Sequence, residues 1–439
     1  MLRLRYKNQT PMKSRIPIIM LLLLATLVYA DEPVTIHPAV GTTATDGHMR
    51  ITLTAKIQNL AVNPQKDKDI KSPKSANFAP DDHLFAINSL EGCRTPFYRT
   101  SDLQKLFTIR HHFTLADSAL WSNDGMTFDF VGEHATPQVF DGKPVEGVFS
   151  HGGKYFWVPY YRRSFDTNAQ EPSALAVVDI TKGKIVRLFN TGVLPKMITC
   201  SHDGRHIAVT HWGDNTVATI DCSDKDPMAW KYTNLYVVDY RFAVKVEEGD
   251  TINRDMGSGY ALRGTVFTNN DEYLLVGCMG GKGGIAVIDL KNQKYLGRLT
   301  GMMSNVRHLL IDHEYLYISI NKTGHVQKIE MTEVMKAIAQ FSGTQKTVKV
   351  SGWKAAKVGA GARTICVSPD GKYIFVACNF ANCVSVIDTK LMKEVTRIEA
   401  DSYPVGMDIS SDGKTLIVTS QGRKDRGGNS VDIFTIDYR

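Results

Sequence analysis

Short apolar runs of five or six residues, separated by turn-forming pairs, recur along most of this chain, and helical periodicity is nearly absent. Tyr373 to Ala377 is continuously apolar, as expected of a strand buried on both faces. The stretch Met49-Arg-Ile-Thr-Leu-Thr-Ala-Lys-Ile57 instead alternates at period two, the pattern of a strand with one face buried. Asp-Gly or an equivalent pair precedes many of the apolar runs and predicts tight hairpins. One exception is Met331 to Phe341, which reads as a single short helix.

The runs belong to a repeat. Its clearest copy begins Arg-Thr-Ile-Cys-Val-Ser-Pro-Asp-Gly-Lys-Tyr-Ile-Phe-Val-Ala-Cys-Asn at Arg363 and continues as Val-Ser-Val-Ile-Asp at Val384. A second copy lies at a constant offset of 100, with Tyr273, Val276 and Cys278 falling on Tyr373, Val376 and Cys378. Others begin at Lys196 and near Pro404, and weaker ones contain Ala79–Asp82, Ser150–Gly153 and Arg307. Seven four-stranded units, stacked radially, bury their central strands on both faces and leave few exposed sheet edges. The expectation is an all-β, seven-bladed β-propeller filling residues 31–439, with blades at about 74–115, 145–192, 195–248, 262–301, 306–352, 362–400 and 404–437. The last unit stops at Tyr438-Arg439 without a fourth strand, and the alternating stretch at about 49–58 is its expected donor.

Ser-Pro-Asp-Gly-Lys-Tyr-Ile-Phe-Val-Ala-Cys-Asn followed by Val-Ser-Val-Ile-Asp-Thr resembles the repeat of the YVTN-type propellers, in the lactonase-like and quinoprotein-dehydrogenase-β-chain-like group. The resemblance is specific over residues 362–437, fair over 195–221 and 262–300, and weak over 74–192 and 306–352. It implies the fold and leaves the function open, because propellers host many unrelated activities.

Lys13 and Arg15 precede an apolar run from Ile16 to Val28 that exits through Val28-Tyr29-Ala30, the order of a cleaved export signal. The expected product is exported, periplasmic or extracellular, with no transmembrane segment once the signal is removed. The formal charge of +7 falls to +2 without the five basic residues of that segment, 47 against 45. A near-neutral chain excludes bulk nucleic-acid binding. Seven cysteines cannot all pair within one chain. Cys378 and Cys383 flank a four-residue loop and are positioned to bridge a hairpin; the alternative reading has the cysteines packed in strands as small apolar residues. Cys-x-x-Cys, Cys-x-x-Cys-His and Gly-x-Ser-x-Gly are absent, so no redox pair, haem site, cofactor or nucleophile elbow is expected, and no histidine spacing suggests a metal.

In a propeller the first strand of each blade lines the central channel. Aligning the repeats puts Lys74, Lys196, Arg263, Arg307 and Arg363 at the same position near the start of that strand, with Val145 and Val405 in the other two blades. Loops between second and third strands on that face add Arg162, Arg163, Lys282, Lys322, Arg423, Lys424 and Arg426, with Trp212 and Tyr160. Converging guanidinium and ammonium groups favour an anionic ligand, so the expected site is Lys74, Lys196, Arg263, Arg307, Arg363, Trp212 and Tyr160. The counter-reading pairs these cations with Glu247, Glu248, Asp250 and Asp255 on the same face. The stretch Thr114 to Lys143, with Trp121 and Phe128, is the largest insertion and a candidate lid.

Two functional classes follow. In the first the chain is a binding or scaffold protein presenting a basic channel mouth to an anionic small molecule, an acidic glycan or a protein partner. In the second it is a lactonase-like hydrolase or isomerase acting on an anionic small molecule. There Arg263, Arg307 or Arg363 stabilises an oxyanion, and a histidine or Glu146 is the general base. A third, a subunit of an exported redox complex, has no haem or quinone motif to support it.

Overall fold

The computed structural model describes residues 37–122, 126–243, 254, 257–423 and 427–439. The expected export signal lies outside these residues, as do Glu247, Glu248, Asp250, Asp255, Lys424 and Arg426.

Strands form seven sheets in chain order around a ring, antiparallel but for one added edge strand, a seven-bladed β-propeller. Blade 1 runs from Pro73–Phe78 through Leu84–Ser89 and Arg94–Arg99 to Lys105–Arg110. Blade 3 (Pro195–Cys200 to Lys231–Val237) and blade 6 (Ala362–Val367 to Lys393–Glu399) repeat that four-strand meander. Blade 7 holds Pro404–Ile409, Thr415–Ser420 and Ser430–Tyr438, and its fourth strand is Met49–Gln58, paired along its length with the C-terminal strand and edged by the short strand Thr43–Thr45. The N-terminal strand therefore fastens the ring.

A shared hydrogen-bond unit explains the turn signature. Ser201, Ser368 and Ser410 each donate a hydroxyl to the aspartate two residues on, Asp203, Asp370 and Asp412, at 2.6, 2.6 and 2.7 Å. Each serine oxygen in turn accepts the N–H that opens the second strand, from His206, Tyr373 and Thr415. The next residue, Gly204, Gly371 or Gly413, sits at φ near +70°, where a side chain is strained. Thr268 and Asn270 rebuild the same unit in blade 4.

Packing is between blades. Seven apolar clusters fill the seven interfaces, for example Phe375, Val386 and Ile398 of blade 6 against Met49, Leu416 and Phe434 of blade 7. Ile417, Val431 and Ile57 of blade 7 meet Phe78, Phe85 and Tyr98 of blade 1, which closes the circle.

Two blades depart from the meander. Blade 5 takes its outer strand from Lys354–Lys357, after a helix at Met331–Ile338 that buries Val334, Ala337 and Ile338. On the way, Thr347–Lys349 pairs in parallel with the edge of blade 4. In blade 2 the second strand, Tyr155–Arg163, pairs with two inner pieces, Phe140–Pro144 and Val148–Ser150, separated by a break at 145–147. The described residues of the insertion at 114–143 pack on blades 2 and 3 and do not line the large cavity, so they form no lid there. The 3-10 turn at Leu115–Leu120 touches the outer strand of blade 2, Trp121 bridges to Leu188, and Phe128 is buried against blade 3.

Candidate functional site

The inner strands share an irregularity that builds the site. In six blades the pairing of first and second strands slips at one place: between Pro73 and Ser75, Pro195 and Met197, Leu262 and Thr265, Val306 and His308, Ala362 and Ile365, and Pro404 and Gly406. Lys74, Lys196, Arg263, Arg307, Arg363 and Val405 fall inside these bulges. A bulge leaves its residue out of the ladder and re-aims the side chain. In blade 2 the break at 145–147 takes the same place and supplies Val145 and Glu146. Five of seven bulge positions thus carry a cation, and all five cations line a single cavity of about 870 Å³.

A second tier comes from the residue that follows each second strand. Leu90, Trp212, Met279, Asn321, Asn379 and Gln421 all stand one position past their strand and all line the cavity. Arg162, Arg254 and Tyr403 complete the wall. Trp212 lies where the sequence puts it, 7% exposed, with Lys196 Nζ 5.1 Å from its ring and 3.9 Å from that of Tyr161. Tyr160 does not line the cavity. It is buried between blades 1 and 2, and its hydroxyl is 2.8 Å from His111 Nδ1. The second strand of blade 2 runs on to Arg163, so alternation turns Tyr160 into the core and Tyr161 to the channel. Arg163 is likewise inside, 4.8 to 5.2 Å from the rings of Trp121, Phe130 and Phe140, and burial lowers its pKa to about 9. Lys282 and Lys322 are exposed and outside the lining, and Arg423 stands over Phe380.

Among the described residues, the charges of the cavity do not balance. Arg263 Nη2 is 2.5 Å from Glu146 Oε1, a pair whose side chains are only 5% and 13% exposed, and Nη1 donates to the Lys196 carbonyl. Arg162 donates to the carbonyls of Asp166 and Thr167, and Arg254 to that of Gly213. Glu91, also at the wall, is held by Lys143 at 2.6 Å. Among the described residues, no carboxylate forms an ion pair with Lys74, Arg307 or Arg363. Arg307 Nη1 reaches only Met279 Sδ at 3.5 Å, and the buried Nε atoms of Arg307 and Arg363 have no partner. Burial, then the charges of Arg363, Arg263, Lys196 and Arg307, hold the Lys74 ammonium well below the usual lysine range. Burial and then Arg363 and Arg263 act the same way on Arg307, while burial and then Arg263 lower Arg363 to about 10. The Asp residues closing the third strands, Asp221, Asp289 and Asp388, accept from backbone N–H groups of their own turns and do not reach this wall.

Behind the Glu146–Arg263 pair a second pocket of about 270 Å³ continues the channel, lined by Glu146, His308, Cys366 and Asp408. Burial lowers His308 to about 4 and raises Asp408 to about 7, although Asp408 accepts from the N–H groups of Phe78 and Ile409. His111 and His211 are fully buried, lowered by burial to about 3 and about 4. His211 bonds Thr216 Oγ1 at 2.7 Å. A histidine whose folded pKa is depressed takes up its proton more readily when unfolded, so its stability contribution is lost as pH falls from 6.5 to about 4. Asp408 has the opposite sign, and one carboxyl against three histidines leaves a net loss. The urea midpoint is therefore expected to fall steadily from pH 6.5 to 4.5; a flat or rising midpoint contradicts this accounting.

Cys378 and Cys383 are directly opposed partners at the end of their hairpin, and both are free thiols. The two thiols neighbour each other, and Cys378 Sγ also faces the Val376 carbonyl and the Ser385 hydroxyl, 3.5 and 3.4 Å away, so the pair is packed in its strands as the alternative reading has it.

Residues 335–435 match the family model described as YNCE-like beta-propeller. The chain is a seven-bladed β-propeller, and its residues 335–435 carry YNCE-like repeats. A segment of 236 residues is 28% identical to hydrazine synthase subunit beta of Kuenenia stuttgartiensis, covering 51% of this chain and 49% of that protein. The chain thus spans about half the length of the curated relative it matches. The propeller fold supports a binding or scaffold role in general terms.

Proposed function

We propose that this propeller is exported and binds an anionic ligand at the basic mouth of its channel, in a binding or scaffold role. The observation that carries the reading is the convergence of Lys74, Arg307 and Arg363 on one cavity with no carboxylate partner among the described residues. Buried like charges destabilise the unliganded fold, and such a cost is retained where a ligand of opposite sign offsets it. Export is supported by the charged, apolar and small-residue order of residues 13–30.

A thermal-shift screen against anionic metabolites and acidic sugars tests the reading. At least one anion is expected to raise the melting temperature of the native chain, and the response is expected to disappear in Arg363→Ala. Unchanged melting across the whole panel argues against an anion site.

The hydrolase reading is less well supported. Glu146, its candidate base, already accepts from Arg263, and His211 is enclosed with Thr216. A second reading draws on the 28% identity to a protein whose name makes it a subunit: the chain works within a larger assembly. Both readings use the same fold and are compatible with each other.

A further inference from the structure

Resting on the reading of the mouth as an anion site, we infer that its ligand is a compact organic polyanion, with two or more anionic groups along one edge of an apolar body. The first half of this inference comes from counting charges. A single acid group neutralises one positive charge, and Lys74, Arg307 and Arg363 present three without a carboxylate partner among the described residues. A monoanion would leave two of them facing each other in a cavity where their mutual repulsion is little screened. Two or three anionic groups held together satisfy the set, and arginine accepts a carboxylate or phosphate through two parallel bonds. Glu146 on Arg263 is an internal example of the group the ring recognises.

The second half comes from where the charges stand. Arg307 and Arg363 belong to blades 5 and 6, and Lys74 belongs to blade 1, so together with blade 7 they occupy one contiguous arc. The facing arc, from blades 2 to 4, carries its own cations, Lys196, Arg263, Arg162 and Arg254, and beside them an apolar cluster. Ala169, Leu194, Trp212 and Ala261 form a cluster there with Tyr161 and Met279. The cavity of about 870 Å³ has the size of a small-molecule pocket. An inorganic oxyanion has nothing to set against that apolar cluster, whereas an organic acid covers it.

Calorimetric titration at fixed ionic strength with benzoate, benzene-1,2-dicarboxylate, benzene-1,2,4-tricarboxylate, propane-1,2,3-tricarboxylate and pyrophosphate tests both halves. The dissociation constant is expected to fall at least about tenfold from benzoate to the aromatic triacid, one charge-assisted contact being worth about that much. The aliphatic triacid and pyrophosphate are expected to bind more weakly than the aromatic one. Lys74→Met and Arg307→Met should each weaken the triacid to about the level of the diacid, and Lys74→Arg, which keeps the charge, should not. Benzoate binding as tightly as the triacid overturns the charge requirement and leaves the anion site standing. The aliphatic triacid or pyrophosphate binding as tightly as the aromatic acid overturns the apolar requirement. Binding by none of the five removes the inference and the underlying reading together.

Discussion

Replacing Lys56 with methionine is expected to destabilise the ring by about 3–5 kcal/mol, the cost of removing one partner from a buried ion pair. Lys56 lies on the N-terminal strand that completes blade 7, with its side chain 1% exposed. Its ammonium group is 2.9 Å from both Asp401 and Asp432, and it also donates to the His37 carbonyl. Asp401 gathers further bonds from Gln58, Ser430 and the Gly428 N–H, so one knot ties the strand Met49–Gln58, the last strand and the linker between blades 6 and 7. Methionine fills the space of the lysine stem and leaves two carboxylates buried without a counter-charge. Burial already raises the Asp432 carboxyl against the pull of Lys56, and with the lysine gone both carboxyls rise. An acid whose folded pKa is raised loses stability as pH rises through its range, so the deficit of the variant should be larger at pH 7.5 than at pH 5. Urea denaturation at the two pH values measures this, and adding Asp432→Asn should recover part of the loss. A change below about 1 kcal/mol, the size of an exposed pair, would mean that the ring closes without help from this knot.

The fold was legible because each blade repeats both a hydrophobic pattern and a turn unit. The Ser-x-Asp-Gly spacing encodes the hydroxyl-to-carboxylate bond and the positive φ of its glycine, so the copies at Ser201, Ser368 and Ser410 align without a structure. The cation ring was legible for the same reason, since a bulge at a fixed distance from the turn keeps Lys74, Lys196, Arg263, Arg307 and Arg363 in register. What blurred the site was length variation. One extra turn of alternation in blade 2 exchanged Tyr160 for Tyr161, and the same strand carried Arg163 away from the channel into an aromatic cage. Asn321, Asn379 and Gln421 were missed although their signal is positional: each follows its second strand directly, as Trp212 does. Tyr403 and Arg254 come from linkers outside the repeat, where no periodicity points. The node at Asp239 had no sequence signal either. Burial alone would raise its carboxyl, but Tyr295, Tyr260 and Arg298 all donate to it and hold it below its ordinary value.

Opposite substitutions on the cavity wall are expected to move stability and anion binding in opposite directions, which separates a ligand site from a structural cluster. Glu146→Gln removes the only carboxylate that pairs with the ring among the described residues, and Arg263 then joins the uncompensated cations. The unliganded variant should lose about 3–5 kcal/mol, as for any buried pair deprived of one member. Its anion affinity should rise, by about tenfold for each carboxylate equivalent the ligand now has to supply. Lys74→Met runs the other way. It removes an ammonium group destabilised by burial and by four neighbouring cations, so the unliganded protein should melt higher while its response to the same anion shrinks. Because a ligand that binds only the folded state raises stability in proportion to RT ln(1 + [L]/Kd), a saturating anion should recover more of the loss in Glu146→Gln than it adds to Lys74→Met. Melting curves of the three proteins, with and without ligand and at two ionic strengths, give all of these quantities. If both substitutions destabilise the protein and both weaken binding, the cations act as struts of the ring, and the unbalanced charge at the mouth has no functional meaning.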